Sequence, residues 1–340
     1  MQLNNRQFIT SHQSRKFGGR VYCLGEAMSD TFLDLEGAKI VDKNKKKMIC
    51  LPYGEKVNVL SLKHKGGGSA FNVSVGLKRL GIDVMLVASL GRDSEGMRLK
   101  DIITKEGINS SFVVERDDFE TKSAVILNGE DGDRTIFVYH GKGVLDKSMI
   151  DWDLIGVGSW FYLGPMPDTA KEIIDYLTEV IDRKNLKLAV NPGSVQIEWT
   201  KEENIKVIAK SELYVLNKEE AQSIMGEIED DKELLDSFIK AGAKNVIITD
   251  GMNGSIASDG KKYFHLDIVK VRTLDMTGAG DSYLAGVIGA LISGKELPEA
   301  MVWGARNGAA VVQKLGAQEG LMTFEQIKIA ENNPIKVEEI

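Results

Sequence analysis

Residues 275–286 read DMTGAGDSYLAG: three small residues, Gly278, Ala279 and Gly280, are followed at once by a carboxylate, Asp281. The chain then turns apolar through Leu284, Ala285, Val287, Ile288, Ala290, Leu291 and Ile292, as a buried helix does. The first amides of a helix lack internal partners, and the helix dipole adds about half a positive charge there. Small residues at such a turn let an anion come close to those amides. An acid in the first helical turn is also favoured by the dipole alone, so Asp281 has a structural reading beside the chemical one. The chemical reading is phosphoryl transfer to a hydroxyl. The amides stabilise charge on the migrating group while the adjacent carboxylate accepts the hydroxyl proton. Thr277 adds a hydroxyl beside the turn, and the strand-like VRTL before it would set the turn at the carboxyl end of a parallel strand, where ligands bind.

The elements that must position this turn alternate along the chain. Short apolar runs at 21–25, 84–91, 160–164, 186–193, 212–217 and 245–251 read as strands. Amphipathic stretches such as 168–184, with Ile173, Ile174, Leu177, Val180 and Ile181 at helical spacing, and 231–242 read as helices. Strand and helix in alternation predict an α/β fold with a mostly parallel sheet covered on both faces. Two stretches break the rhythm. Residues 34–65 carry a Lys-rich turn, DKNKKK, and 112–139 read as strands joined by hairpin turns. They are expected to join in space as a small β-sheet lid over the site. The main domain is then 21–330, with 331–340 as a C-terminal tail.

The bulk composition excludes several function classes. A net charge of -7 argues against a nucleic-acid partner held by electrostatics. No run approaches the roughly 18 apolar residues of a membrane span. Cys23 and Cys50, without a CxxC or a Cys/His cluster, suit a reducing cytoplasmic setting and no structural zinc. Residues 1–20 hold Arg6, Arg15, Lys16 and Arg20 and no acid. They read as a basic, disordered tail, whose composition also resembles an organelle transit peptide. GALISGKE at 289–296 mimics a P-loop, but Glu296 stands where a Ser or Thr would bind magnesium, and its first glycine lies within an apolar helix. No GxGxxG follows a strand, so a dinucleotide oxidoreductase lacks its signature.

DMTGAGDSYLAGVIGAL (275–291) and GGGSAFNVSVGLKRLG (66–81) together resemble the two signatures of the ribokinase-like, or PfkB, carbohydrate kinases, over about Val21 to Leu321. The resemblance implies ATP-dependent phosphorylation of an alcohol on a sugar or nucleoside, with Mg²⁺, on a central sheet between helices with a β-sheet lid. It implies that Asp281 is the catalytic base and Gly278, Ala279 and Gly280 the anion hole. Asp30, Gly67, Gly68 and Asn72 would hold the acceptor hydroxyls. Asn217 and Glu220, in NKEE, would organise Mg²⁺ through water. Thr249 and Gly251, in ITDG, and Asn307 would lie by the nucleotide. The loop at Asp275 would bind a monovalent cation such as K⁺, as in some members, and lid sheets of the family pair into dimers.

The match weakens around the acceptor. Ribose-phosphorylating members place an Asn two residues before the substrate Asp, where this chain has Met28. They place a Lys after the glycine pair, where it has Ser69, and an acid at a central strand end, where it has Gly164. Met28 makes the pocket more apolar, which suits a nucleoside base or a deoxygenated sugar. Arg134, on the expected lid, could meet a substrate phosphate or carboxylate, or serve the hairpin. His140 reads as structural, since Asp281 already supplies the base. A sugar kinase is the leading reading, a nucleoside kinase the alternative, and a non-catalytic sugar-binding regulator a third.

Overall fold

The computed structural model describes residues 19–43, 46–128 and 134–340. The basic tail thus lies outside the described residues up to position 18, as do the tips of the two lid turns at 44–45 and 129–133. Arg20, expected in the tail, opens the first strand and pairs with Asp83 at 2.8 Å.

Among the described residues the main sheet has ten strands. From one edge they run Asn109–Arg116, Asp83–Gly91, Arg20–Leu24, Trp160–Leu163, Lys187–Val190, Ser211–Asn217 and Val246–Thr249, all parallel. Ser255–Ser258, Tyr263–Leu266 and Glu338–Glu339 follow, antiparallel. The expected strands are therefore present in a mostly parallel sheet, and successive residues of a strand enter opposite cores. Val21 and Cys23 face one core, packed by the helices Ser69–Arg79, Ala279–Ile292 and Leu297–Val311. Tyr22 and Leu24 face the other, under Lys171–Lys184 and Asp231–Lys240. No helix among the described residues is long and apolar enough to cross a membrane.

A second sheet holds four strands in the order Val59–Gly67, Met28–Leu35, Ser123–Asn128, Arg134–Tyr139. Its make-up differs from the sequence expectation in two ways. Met28–Leu35 follows the main-sheet strand Arg20–Leu24 after three residues and pairs only within the small sheet, so the small sheet starts before residue 34. Residues 112–116, expected in the lid, lie within Asn109–Arg116 and pair with Asp83–Gly91 as the edge of the main sheet. Phe112 is buried there against Tyr22, which decides the matter in favour of the larger core. Lys39–Lys43 and Lys46–Cys50 form a separate two-stranded ribbon.

Two further expectations are corrected. Residues 331–340 are not a free tail, since Glu338–Glu339 pairs with Tyr263–Leu266 and Lys262 reaches Glu339 at 2.8 Å. VRTL is no strand: after Leu266 the chain runs without regular structure to Gly278, with Leu274 exposed. The amides of Leu274 and Asp275 bond to the Val312 carbonyl, at the end of a helix, and so have no sheet partner. The strand preceding the glycine turn is the antiparallel Tyr263–Leu266.

Candidate active site

Gly278 caps the helix Ala279–Ile292 with φ 77° and ψ 8°, in the left-handed region. A Cβ there would also lie 2.5 Å from that of Ala317, so backbone conformation and packing both demand glycine. The amide of Ala279 is spent on the Met276 carbonyl at 3.2 Å. Those of Gly278, Gly280 and Asp281 donate to no carbonyl among the described residues. A Cβ on Gly280 would meet nothing within 4 Å, so the turn is open to solvent on that side. Of the expected anion-hole residues, Ala279 thus has its amide engaged within the turn, while the Asp281 amide joins those of Gly278 and Gly280 in lacking a carbonyl partner among the described residues.

Asp281 stands half-buried at the third helical position and lines a cleft of about 640 Å³ between the two sheets. The Ser69 hydroxyl donates to Oδ1 at 2.5 Å, and Asn72 Nδ2 donates to Oδ2 at 2.8 Å. Behind them, Tyr162 Oη lies 2.7 Å from Ser69 Oγ, and Gln318 Nε2 donates to Asn72 Oδ1 at 2.9 Å. Two chains of hydrogen bonds thus hold one carboxylate. Burial pushes its pKa up, and the bonds from Asn72 and Ser69 only partly oppose this. No cation among the described residues offsets the effect, so Asp281 holds a proton more readily than an ordinary carboxylate.

Asn72, expected to hold acceptor hydroxyls, lines the cleft. Its carboxamide is engaged at both ends between Gln318 and Asp281, because the helix Ser69–Arg79 packs against Ala279–Ile292 at this point. Asn72 thereby fixes the Asp281 carboxylate. Tyr162 and Gln318 were not singled out in the sequence. Tyr162 hides in an apolar strand run, WFYL, and Gln318 in a loop far along the chain from either motif.

Across the cleft, Asp30 projects from Met28–Leu35 and is 7% exposed. Burial raises its pKa to about 7. A Cβ on Gly67, in the neighbouring strand, would lie 2.1 Å from Asp30 Oδ2, so Gly67 makes room for that carboxylate. Gly68 is the N-cap of the Ser69–Arg79 helix and lines the cleft. Met28, Ala124, Ile126, Ile136 and Val138 line the same wall, an apolar surface beside one acid. His140 lies at its rim.

The remaining expected residues divide. Asn217 and Thr249 are register partners at the carboxyl ends of adjacent parallel strands. Asn217 caps the helix Lys218–Met225: its Oδ1 accepts from the Glu220 amide at 2.8 Å, and Glu220 Oε2 accepts from the Asn217 amide at 2.9 Å. Burial raises the Glu220 pKa, the bond from Asn217 opposes, and Glu219 adds to the rise. Glu198, Glu219 and Glu220 line a groove that meets the main cleft at Ser194. Among the described residues no three metal-ligating side chains converge. This oxygen-rich groove fits Mg²⁺ held through water better than a direct cage. Gly251 opens a short 3₁₀ turn just past Thr249. Asn307 is not brought to the cleft. It is fully buried, donates to the Ser282 carbonyl at 2.7 Å and accepts from the Met322 amide at 2.9 Å, tying two helices together.

Asp275 is 5% exposed. Its Oδ1 accepts from the Thr277 amide and hydroxyl at 2.9 and 2.6 Å, and its Oδ2 from the Gly316 amide at 2.8 Å. Arg134 Nη1 lies 3.3 Å from Oδ1. Burial would raise this pKa, but Thr277, Gly316 and Arg134 outweigh it and hold the group below its ordinary value. With its charge already met by an arginine, this carboxylate does not fit a monovalent cation as a further partner.

The pfkB family carbohydrate kinase model matches residues 21–323 of the chain. The ATP-dependent 6-phosphofructokinase of Thermoanaerobacterium thermosaccharolyticum is 25% identical over 293 residues, 83% of this chain and 89% of that protein. The nucleoside kinase of Methanocaldococcus jannaschii is 25% identical over 323 residues, 91% of this chain and 95% of that one. Among solved structures, the ribokinase of Thermotoga maritima superposes with a TM-score of 0.74 at 22% identity, covering 92% of this chain and 99% of the other.

Proposed function

The chain belongs to the pfkB family of carbohydrate kinases, and from that premise we propose that it transfers the terminal phosphoryl group of ATP to a hydroxyl of a sugar or sugar-like acceptor. It is a phosphotransferase of the ribokinase type, and its relatives include kinases named for sugars, sugar phosphates and nucleosides. One observation carries the mechanistic reading: a half-buried carboxylate with a raised pKa, held by two neutral donors, sits directly beside helix amides that have no carbonyl partner among the described residues.

In this mechanism the acceptor oxygen forms a bond to the terminal phosphorus as the bond to the bridging oxygen breaks. The bridging electron pair leaves with ADP, and the acceptor proton passes to Asp281. The amides of Gly278, Gly280 and Asp281 stabilise charge on the phosphoryl oxygens. Asp30, with the space left by Gly67 and the backbone at Gly68, orients the acceptor hydroxyls. Glu220 and its neighbours would hold Mg²⁺ through water, and the ion would supply positive charge against the phosphates. Thr249 and Gly251 flank the nucleotide. The small sheet covers the acceptor and excludes water as a competing acceptor. Its outer face carries Leu62, Phe137 and Tyr139 exposed, which supports pairing with a second copy. A non-catalytic regulator would have no use for a base so placed.

A second reading concerns the acceptor. The apolar wall of Met28, Ala124, Ile126, Ile136 and Val138 favours a ligand with a flat apolar face, which supports a nucleoside. The deciding experiment incubates the protein with ATP and Mg²⁺ against sugars, deoxysugars, sugar phosphates and nucleosides, following ADP release and product by phosphorus NMR. Free ribose is expected to be a poor acceptor. Absence of acceptor-dependent ADP across the panel would sink the kinase reading.

A further inference from the structure

Asp275 is a joint between three parts of the molecule. Thr277 ties it to the glycine turn, and Gly316 ties it to the loop whose Ala317 packs against Gly278. Arg134 reaches it from the small sheet. The Arg134 strand continues to Ile136 and Val138, which share its face and line the acceptor side of the cleft. A second contact runs to the same loop: Lys65, on the opposite edge of the small sheet, donates to the Leu315 carbonyl at 2.6 Å and pairs with Glu319 at 3.0 Å. The Asp275 side chain is only 4% exposed, and that of Arg134 25%. To stay ionised, a carboxylate so enclosed needs hydrogen bonds and a counter-charge, and the counter-charge here is supplied from across the cleft.

We propose that Arg134 is a positioning residue for phosphoryl transfer: its guanidinium is the built-in counter-ion of Asp275, docking the small sheet onto the glycine turn in place of a free monovalent cation. Seating of the acceptor wall and alignment of the anion-binding amides then form one event. This rests on the kinase reading above, but its test does not depend on turnover alone.

The full-length protein and its Arg134→Ala and Arg134→Lys variants are compared in potassium chloride and in tetramethylammonium chloride at equal ionic strength. Melting midpoints are measured, along with kcat and KM for ATP. The wild type is expected to have the same midpoint in both salts and kcat/KM values within about twofold of each other, because its counter-ion is covalently attached. Arg134→Ala is expected to lose roughly 10- to 100-fold in kcat/KM, as breaking an enclosed ion pair does, and to recover several-fold with millimolar guanidinium. Its melting midpoint rises in K⁺ or guanidinium, while that of the wild type does not. Arg134→Lys retains the charge and falls between the two. The proposal is overturned if potassium raises the wild-type midpoint or activity as much as it does for Arg134→Ala. It is equally overturned if Arg134→Ala matches the wild type in both measurements. Should no acceptor be phosphorylated by the wild type, the kinase reading fails, and the salt dependence of the midpoints still decides the ion pair.

Discussion

Asp275 and Asp281 flank one glycine turn and are both largely enclosed, yet their surroundings drive them in opposite directions. Asp275 accepts from two amides, a hydroxyl and a guanidinium, and is held ionised. Asp281 accepts from one hydroxyl and one carboxamide, with no cation, and its pKa is raised. The first arrangement suits a fixed charge that braces a loop. The second suits a group that must take up a proton and release it again. Two carboxylates in one short segment acquire different roles through their donors, as pairs of acids in other active sites do.

The strongest way to break this comparison is Asp281→Asn. Loss of the base is expected to lower kcat by roughly 10²–10⁴, with ATP affinity and melting midpoint close to wild type. Turnover near the wild-type level would show that Asp281 is, like Asp275, a structural acid.

Much of this contrast was legible in the sequence. Small residues before an acid and an apolar helix located the turn, and the glycine pair before Ser69 located the opposite wall, because backbone demands leave strong local marks. Asp275 was visible too, but the identity of its counter-ion was not. Arg134 lies on another sheet, and no local pattern records a contact across 141 positions of chain. The same limit hid Gln318 and Tyr162, which reach Asp281 only through Asn72 and Ser69 from distant parts of the chain. Asn217 and Glu220 show the converse: a short motif that reads as a phosphate-side element also serves as a helix cap. VRTL had strand-like composition, but no neighbouring strand was left to pair with it.

Asp30 sharpens the comparison from the other side of the cleft. It has the raised pKa of Asp281 without its donors, since burial alone drives it from 3.8 to about 7. The native state therefore binds this proton more tightly than the unfolded chain. The associated stability is complete below pH 4 and declines as pH rises towards 7, by on the order of 3–4 kcal/mol for such a shift. Denaturant titrations between pH 4 and 7 should show this decline in the wild type and not in Asp30→Asn. Acceptor KM should fall as pH rises through 7, because the ionised carboxylate is the better acceptor of substrate hydroxyls. A KM that is flat with pH, or the same stability profile in the variant, would remove Asp30 from this role.

The smallest effect is the most discriminating. An ionised Asp281 can only accept, so the Ser69 proton points to it, and the Tyr162 hydroxyl must then donate to Ser69. Burial, with the Asp281 charge adding to it, raises the Tyr162 pKa and keeps that phenol protonated as the donor. Tyr162→Phe preserves volume and removes one link of the chain. Charged Asp281 is then less well supported, so its pKa rises further and the acid limb of the kcat profile moves to higher pH. The loss in kcat at neutral pH is expected to be less than about tenfold, the scale of one indirect hydrogen bond, with both KM values unchanged. In a Ser69→Ala background the same change should have no further effect, because the link to Asp281 is already cut. Full additivity of the two substitutions would mean that Tyr162 acts on the site by packing alone, and that Asp281 owes its poise to Asn72 and to burial.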